Sequence, residues 1–275
     1  MNSALRLAAV TALATSSIAC FGAAVLIKVK GDGSGTVEKA LTMNPATIAE
    51  MGVMKTGADP TKMTDQELLS GPFNPETLKA EAARMGEGVT FVSATPIREK
   101  DKLGVKAVFA FKDVNTLKVN QKPLTPVGPE VEQSPEDDLK FTLTKQGGNA
   151  VLTLKTKPMD LKSGASKKPK ETPAPGMDAM AKGMMDMMKP MLKGLRITIS
   201  VEVDGTVVKT NSQYAAGNRV TYLDLDMSAL LADQKALQAF EDVEGSVEQQ
   251  KAALSKVKGM KVHLEPEMVV EFKPN

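Results

Sequence analysis

Across 275 residues the chain has one cysteine, one histidine and no tryptophan, and each shortage removes a class of function. A single thiol makes no internal disulfide, so stability has to come from a buried core. His263 is the only imidazole, which leaves a zinc centre or a nucleophile–histidine relay without the partners it needs. It stands between Val262 and Leu264, sharing a strand face with Lys261 and Glu265, a pattern that points it toward solvent. Aromatic residues make up 4%, too few for the exposed rings on which sugars and bases stack. Charge is almost balanced, 35 Lys and Arg against 33 Asp and Glu, so nothing marks a nucleic-acid partner. No catalytic residue, metal or cofactor is expected.

What the chain does have begins at its N-terminus. Met1 to Cys20 reads as an export signal: Arg6 supplies the basic start, Leu7 to Ala19 is uncharged, and Ser17-Ile18-Ala19 precedes the thiol. In the preferred reading Cys20 is the site of lipidation, which makes the protein exported, membrane-anchored and on the periplasmic side of the bacterial envelope. Ser17 occupies the position where a lipobox carries a large aliphatic residue, so ordinary cleavage after Ala19 is a second reading. A third takes Leu5 to Ile27 as an uncleaved span, since about 20 apolar residues cross a bilayer. Val25, Ile27 and Val29 alternate with Leu26, Lys28 and Lys30, which favours a strand over that helix.

Further along, local signals describe an α+β fold with a mostly antiparallel sheet and covering helices, following the N-terminal signal or anchor segment. Gly31-Asp32-Gly33-Ser34-Gly35 reads as a hairpin loop between Val25–Lys30 and Thr36–Met43. Asn44-Pro45 and Asn74-Pro75 are N-cap and first-turn pairs, and Thr64 with Glu67 is a capping box. The helix from Pro75 turns Leu78, Ala82 and Met85 to one side and stops at Gly86. Val89, Phe91 and Ser93 alternate in one strand, and Val105, Ala107, Phe109 and Phe111 in the next. Residues 119–138, rich in proline and acid, read as a surface excursion. Leu139, Phe141 and Leu143 lead to a turn at Gly147-Gly148-Asn149 and a return through Leu154.

Pro158, Pro169, Pro173 and Pro175 among lysines mark residues 157–176 as a flexible linker. The resulting division is 1–20 signal, 21–156 β-rich region, 157–176 linker and 177–275 second α+β region sharing a sheet with the first. In that second region a strand from Leu195 to Val203 ends at Asp204-Gly205, a hairpin signal. A strand from Val220 to Leu225 precedes a helix capped by Asp226, and Ser246 with Gln249 would cap a helix ending near Gly259. One long final strand carries Met260, Val262, Leu264, Met268, Val270 and Phe272 on one parity, with a bend or edge position at Pro266.

Four stretches carry a family resemblance: Gly31 to Val37, Met85 to Ser93, Phe109 to Asn115, and Lys193 to Arg196 running into Val201 to Gly205. With these the chain resembles a family of bacterial cell-envelope lipoproteins that is distantly similar to the LppM-type domain. The resemblance implies an exported lipoprotein and brings no enzymatic residues with it.

The sharpest local feature is methionine. Met177, Met180, Met184, Met187, Met188 and Met191 make one stripe at 100° per residue, with Asp178, Lys182, Asp186 and Lys189 opposite. Packing against the sheet is the first reading, since unbranched thioethers fill irregular gaps. An adaptable lipid or partner surface is the second, and Cu(I) ligation is a distant third because His and Cys are missing nearby. The acidic runs Glu130 to Glu132 and Glu136 to Asp138 lack calcium-loop spacing, and Asp226 beside Asp224 reads as a helix cap. The expected function is therefore a non-catalytic exported envelope protein that binds an apolar ligand or an envelope protein. The alternative is a purely structural or assembly role without a ligand pocket. A closed apolar cavity distinguishes the first from the second.

Overall fold

Alternating burial builds the architecture from its first strand. The computed structural model describes residues 21–46, 59–70, 73–99, 101–120, 138–156, 194–233, 247–255 and 257–275. β1 (Phe21–Val29) buries every second side chain, Phe21 through Val29, and pairs antiparallel with β2 (Gly35–Met43) across the predicted glycine turn. Asp32 accepts from both the backbone N–H and the hydroxyl of Ser34, which holds that turn. Because Phe21 to Ile27 are strand, the reading of Leu5 to Ile27 as one membrane helix is incompatible with the fold.

The capping signals land where expected. Thr64 and Glu67 form a reciprocal capping box on α1 (Asp65–Leu68), and Asn74 accepts from the Thr77 N–H at the start of α2 (Pro75–Arg84). Leu78, Ala82 and Met85 are buried. β3 (Thr90–Glu99) and β4 (Lys102–Phe111) follow, and Val105, Ala107, Phe109 and Phe111 are buried as their alternation requires. β3 departs from alternation: a bulge between Phe91 and Ser93 puts those two on opposite faces, and Val92 is exposed.

Beyond a short 3₁₀ turn come β5 (Lys118–Asn120), β6 (Asp138–Gln146) and β7 (Asn149–Lys155), the last two being the predicted hairpin. Val119 is fully buried, so the proline-rich excursion begins only after it; residues 121–137 lie outside the described residues, as do the linker 157–176 and the methionine stretch 177–191. The chain resumes with β8 (Leu195–Val203), β9 (Gly205–Thr210), β10 (Ala215–Ala216) and β11 (Arg219–Asp226). α3 (Met227–Ala232) is capped by Asp226 through the Ala229 N–H, and α4 (Val247–Leu254) precedes β12 (Met260–Val262) and β13 (Glu267–Pro274). α4 ends at Leu254, short of Gly259, and Ser246, its expected cap, lies outside the described residues.

Two sheets result. The first runs β10-β11-β8-β1-β2-β4-β3 with β12 beside β11, and the second runs β5-β6-β7-β13-β9. The α+β character and predominantly antiparallel pairing stand, with one exception: β1 and β8 are parallel along their full length. Their inward residues meet in one core that includes Ile27, Phe109, Val201 and Tyr222 from the first sheet and Leu139, Leu152, Val270 and Phe272 from the second. Residues before and after 157–176 therefore share both sheets.

Two sequence expectations fail, the first because β8 has no free edge. Asp204-Gly205 is not a hairpin turn. β8 already has β1 on one side and β11 on the other, so the chain after Gly205 crosses to the second sheet and pairs with β13. Gly205 suits that crossing, since a Cβ there would sit 2.2 Å from the Lys273 carbonyl oxygen. The last strand is likewise two strands. β12 extends the first sheet, β13 the second, and Pro266, which has no N–H to contribute to a ladder, lies between them.

Candidate functional site

The lower end of the first sheet is set by register. Arg98, Leu103, Met43, Phe21 and Leu195 are opposite one another on adjacent strands, so they form one terminal row. Phe21 donates its N–H to the Gly194 carbonyl, which locks the start of β1 to the start of β8. Cys20, the predicted lipidation site, lies outside the described residues and directly precedes this row. Met177, Met180, Met184, Met187, Met188 and Met191 also lie outside them, and that stretch rejoins the described fold at Gly194. Around the row are two small apolar clusters separate from the main core. One joins Phe21, Ala23 and Leu41 to Met43, Phe73 and Leu195; the other joins Leu68, Leu103 and Val105 to Met43, Met63, Leu69 and Phe73.

Among the described residues, two arginines near this end are paired with carboxylates. Arg98 grips Asp65 through Nε and Nη2 at 3.1 and 2.8 Å and also donates to the Met63 carbonyl. Arg196 holds Asp224 in a fork of 3.0 and 3.1 Å, and Lys261 stands 3.8 Å from the same carboxylate. Those hydrogen bonds keep the Arg196 guanidinium above its ordinary pKa. Asp224 is thus an ion-pair partner and Asp226 a helix cap.

His263 corrects the sequence reading. Its side chain is 2% exposed, because it sits in the four-residue gap between β12 and β13, where the backbone changes sheets and strand parity no longer applies. Its N–H backbone donates to Tyr222, Nε2 is 3.1 Å from the Glu267 carbonyl oxygen, and Nδ1 is 3.4 Å from the Glu265 carboxylate. Lys251 on α4 pairs with Glu265 from the other side. Burial holds the imidazole pKa below its ordinary value, the hydrogen bond to Glu267 opposes that, and Lys251 adds to it. A cavity of about 140 Å³ opens here, lined by Asn211, Gln213, Tyr214 and Lys251 with His263 and Glu265.

A larger cavity of about 310 Å³ lies elsewhere, between Gly86-Glu87, the segment Asn115 to Lys118 and Lys140. It is open to solvent. Among the described residues no three His, Cys, Asp or Glu side chains gather in a metal-binding arrangement. Of the acidic runs, residues 130–137 lie outside the described residues, and Asp138 accepts from Asn120. The cluster of buried His263 with half-buried Glu265 and Lys251 was missed by sequence reasoning. Pro266, four residues after Val262, was the available signal that the strand and its parity would end.

Comparison with known proteins finds no matching family model and no matching curated protein. Among solved structures the chain is distantly similar to the folded domain of Mycobacterium tuberculosis LppM, at 10% identity and a TM-score of 0.34, covering 93% of this chain and 91% of that one. It is also weakly similar to an M1 zinc metallopeptidase of Deinococcus radiodurans, at 7% identity and a TM-score of 0.22, covering 76% of this chain and 40% of that one. Among the described residues no helix is long and apolar enough to cross a membrane.

Proposed function

We propose that this is a non-catalytic exported protein of the bacterial envelope, anchored at a membrane through Cys20, which acts through its surface as a docking or assembly element for an envelope protein. The observation that carries this reading is the filling of the interior. Phe109, Phe272, Ile27, Leu139, Leu152 and Leu154 are all essentially inaccessible and belong to one core cluster joining both sheets. A protein that encloses an apolar ligand needs a chamber of several hundred Å³ with apolar walls. The two cavities described above are instead open, and side chains such as Lys118, Lys140, Lys251 and Glu265 line them.

Mass spectrometry of native protein extracted from membranes tests the reading. The expected result is an acyl mass on Cys20, a co-purifying protein after crosslinking, and no lipid retained at one copy per chain. Cys20→Ser should then release the folded part from the membrane or block its processing. A stoichiometric bound lipid would reinstate the apolar-ligand reading, and a soluble form beginning at Phe21 would remove the anchor.

A further inference from the structure

We infer that the lower end of the first sheet, the row Arg98, Leu103, Met43, Phe21 and Leu195 with Phe73 beside it, is seated on the lipid bilayer. The inference deepens the anchored-protein reading above and rests on it. No spacer separates the thiol from the fold: Phe21 is already paired in β1 and bonded to Gly194, and adjacent Cα atoms are about 3.8 Å apart. An acyl group on Cys20 would bring this row to the interface without any linker to lift it away. An anchored envelope domain on a long tether is free to tumble; this one is not.

Chemistry at the row fits an interface. Met43, Phe73, Leu195, Met63 and Leu69 are only partly buried and surround the two satellite apolar clusters. Among the described residues, Arg98 is paired with Asp65, Lys102 with Glu99 and Arg196 with Asp224, which suits the apolar-to-headgroup boundary of a zwitterionic lipid. β1 has nine residues, so at about 3.3 Å per residue its far end, with Lys30 and the turn, lies roughly 27 Å from the bilayer. Asn275 marks that far end through its bonds to Asp204, which itself bonds Val29.

The natural absence of tryptophan makes the test clean. Full-length protein carrying Phe73→Trp, Leu195→Trp or Asn275→Trp is reconstituted in zwitterionic phosphatidylcholine vesicles with brominated acyl chains, and its N-terminal mass is measured in the same sample. Phe73→Trp and Leu195→Trp should lose most of their fluorescence while Asn275→Trp keeps its own. Two near-end positions guard against one variant failing to fold. Acylated Cys20 with all three tryptophans unquenched would overturn the seating and leave the anchor intact. Quenching at Phe73→Trp or Leu195→Trp without an acyl mass would uphold the seating and remove the anchor; no quenching and no acyl mass would end both.

Discussion

His263 is uncharged at neutral pH because its burial disfavours the imidazolium, and this makes it a pH-dependent term in stability. Its pKa is lower in the fold than the ordinary 6.5, so between the two values the unfolded chain binds more protons than the native one. Stability then rises with pH. The contribution is complete above about pH 6.5 and is lost as pH falls from there toward the folded pKa. The ionisable side chains facing the ring are Glu265 and Lys251, with buried Tyr222 6.4 Å away by ring centroid. Thermal unfolding at pH 7.5 and 5.5 should show a larger drop in melting temperature for the natural protein than for His263→Gln. Equal drops would mean that the ring has no such role. The carboxylates Asp32, Asp59 and Glu67 act lower on the scale: hydrogen bonds to their ionised forms depress their pKa values, so their contribution fades only below about pH 4.

At the scale of elements, α2 packs on β3 through its apolar face and is tied to β2 by an ion pair. Leu78 is 1% exposed, and truncation to alanine should cost about 2–5 kcal/mol, measured by urea unfolding. Asn74→Ala removes the cap on the Thr77 N–H and should cost about 1 kcal/mol. Lys39, at an inward position of β2 between Val37 and Leu41, pairs with Glu81 of α2, and both side chains are mostly buried. Removing one partner strands the other charge, whereas removing both does not. Lys39→Met should therefore destabilise more than the double change Lys39→Met with Glu81→Leu. A double variant less stable than the single one would show that the stranded Glu81 charge carries no such penalty.

For the whole molecule, the parallel pairing of β1 with β8 and the seat of β13 between β7 and β9 tie the two ends of the chain together. Neither 21–156 nor 177–275 has a complete sheet by itself. Calorimetry should show one unfolding transition for the intact protein. Each fragment expressed alone should lack dispersed amide resonances, and mixing the two should restore them. A fragment 21–156 that is stably folded by itself would contradict this account.

Local chemistry was legible without the fold. The capping box at Thr64, the caps at Asn74 and Asp226, the turns at Gly33 and Gly147, and the inward faces of β1, β4 and β8 depend on residues a few positions apart, and the chain carries each signal in its own neighbourhood. What only tertiary structure decided is competition for strand edges. Whether Asp204-Gly205 closes a hairpin depends on whether β8 has a free side, and its sides are taken by β1, far away in sequence, and by β11, two strands further on. The break at Pro266 sends β12 and β13 to different sheets, and His263 is buried because that crossing carries it between them. A parallel neighbour leaves no turn or spacing in the sequence, so β8 beside β1, and with it the apolar row behind Cys20, exists only once the sheet has formed.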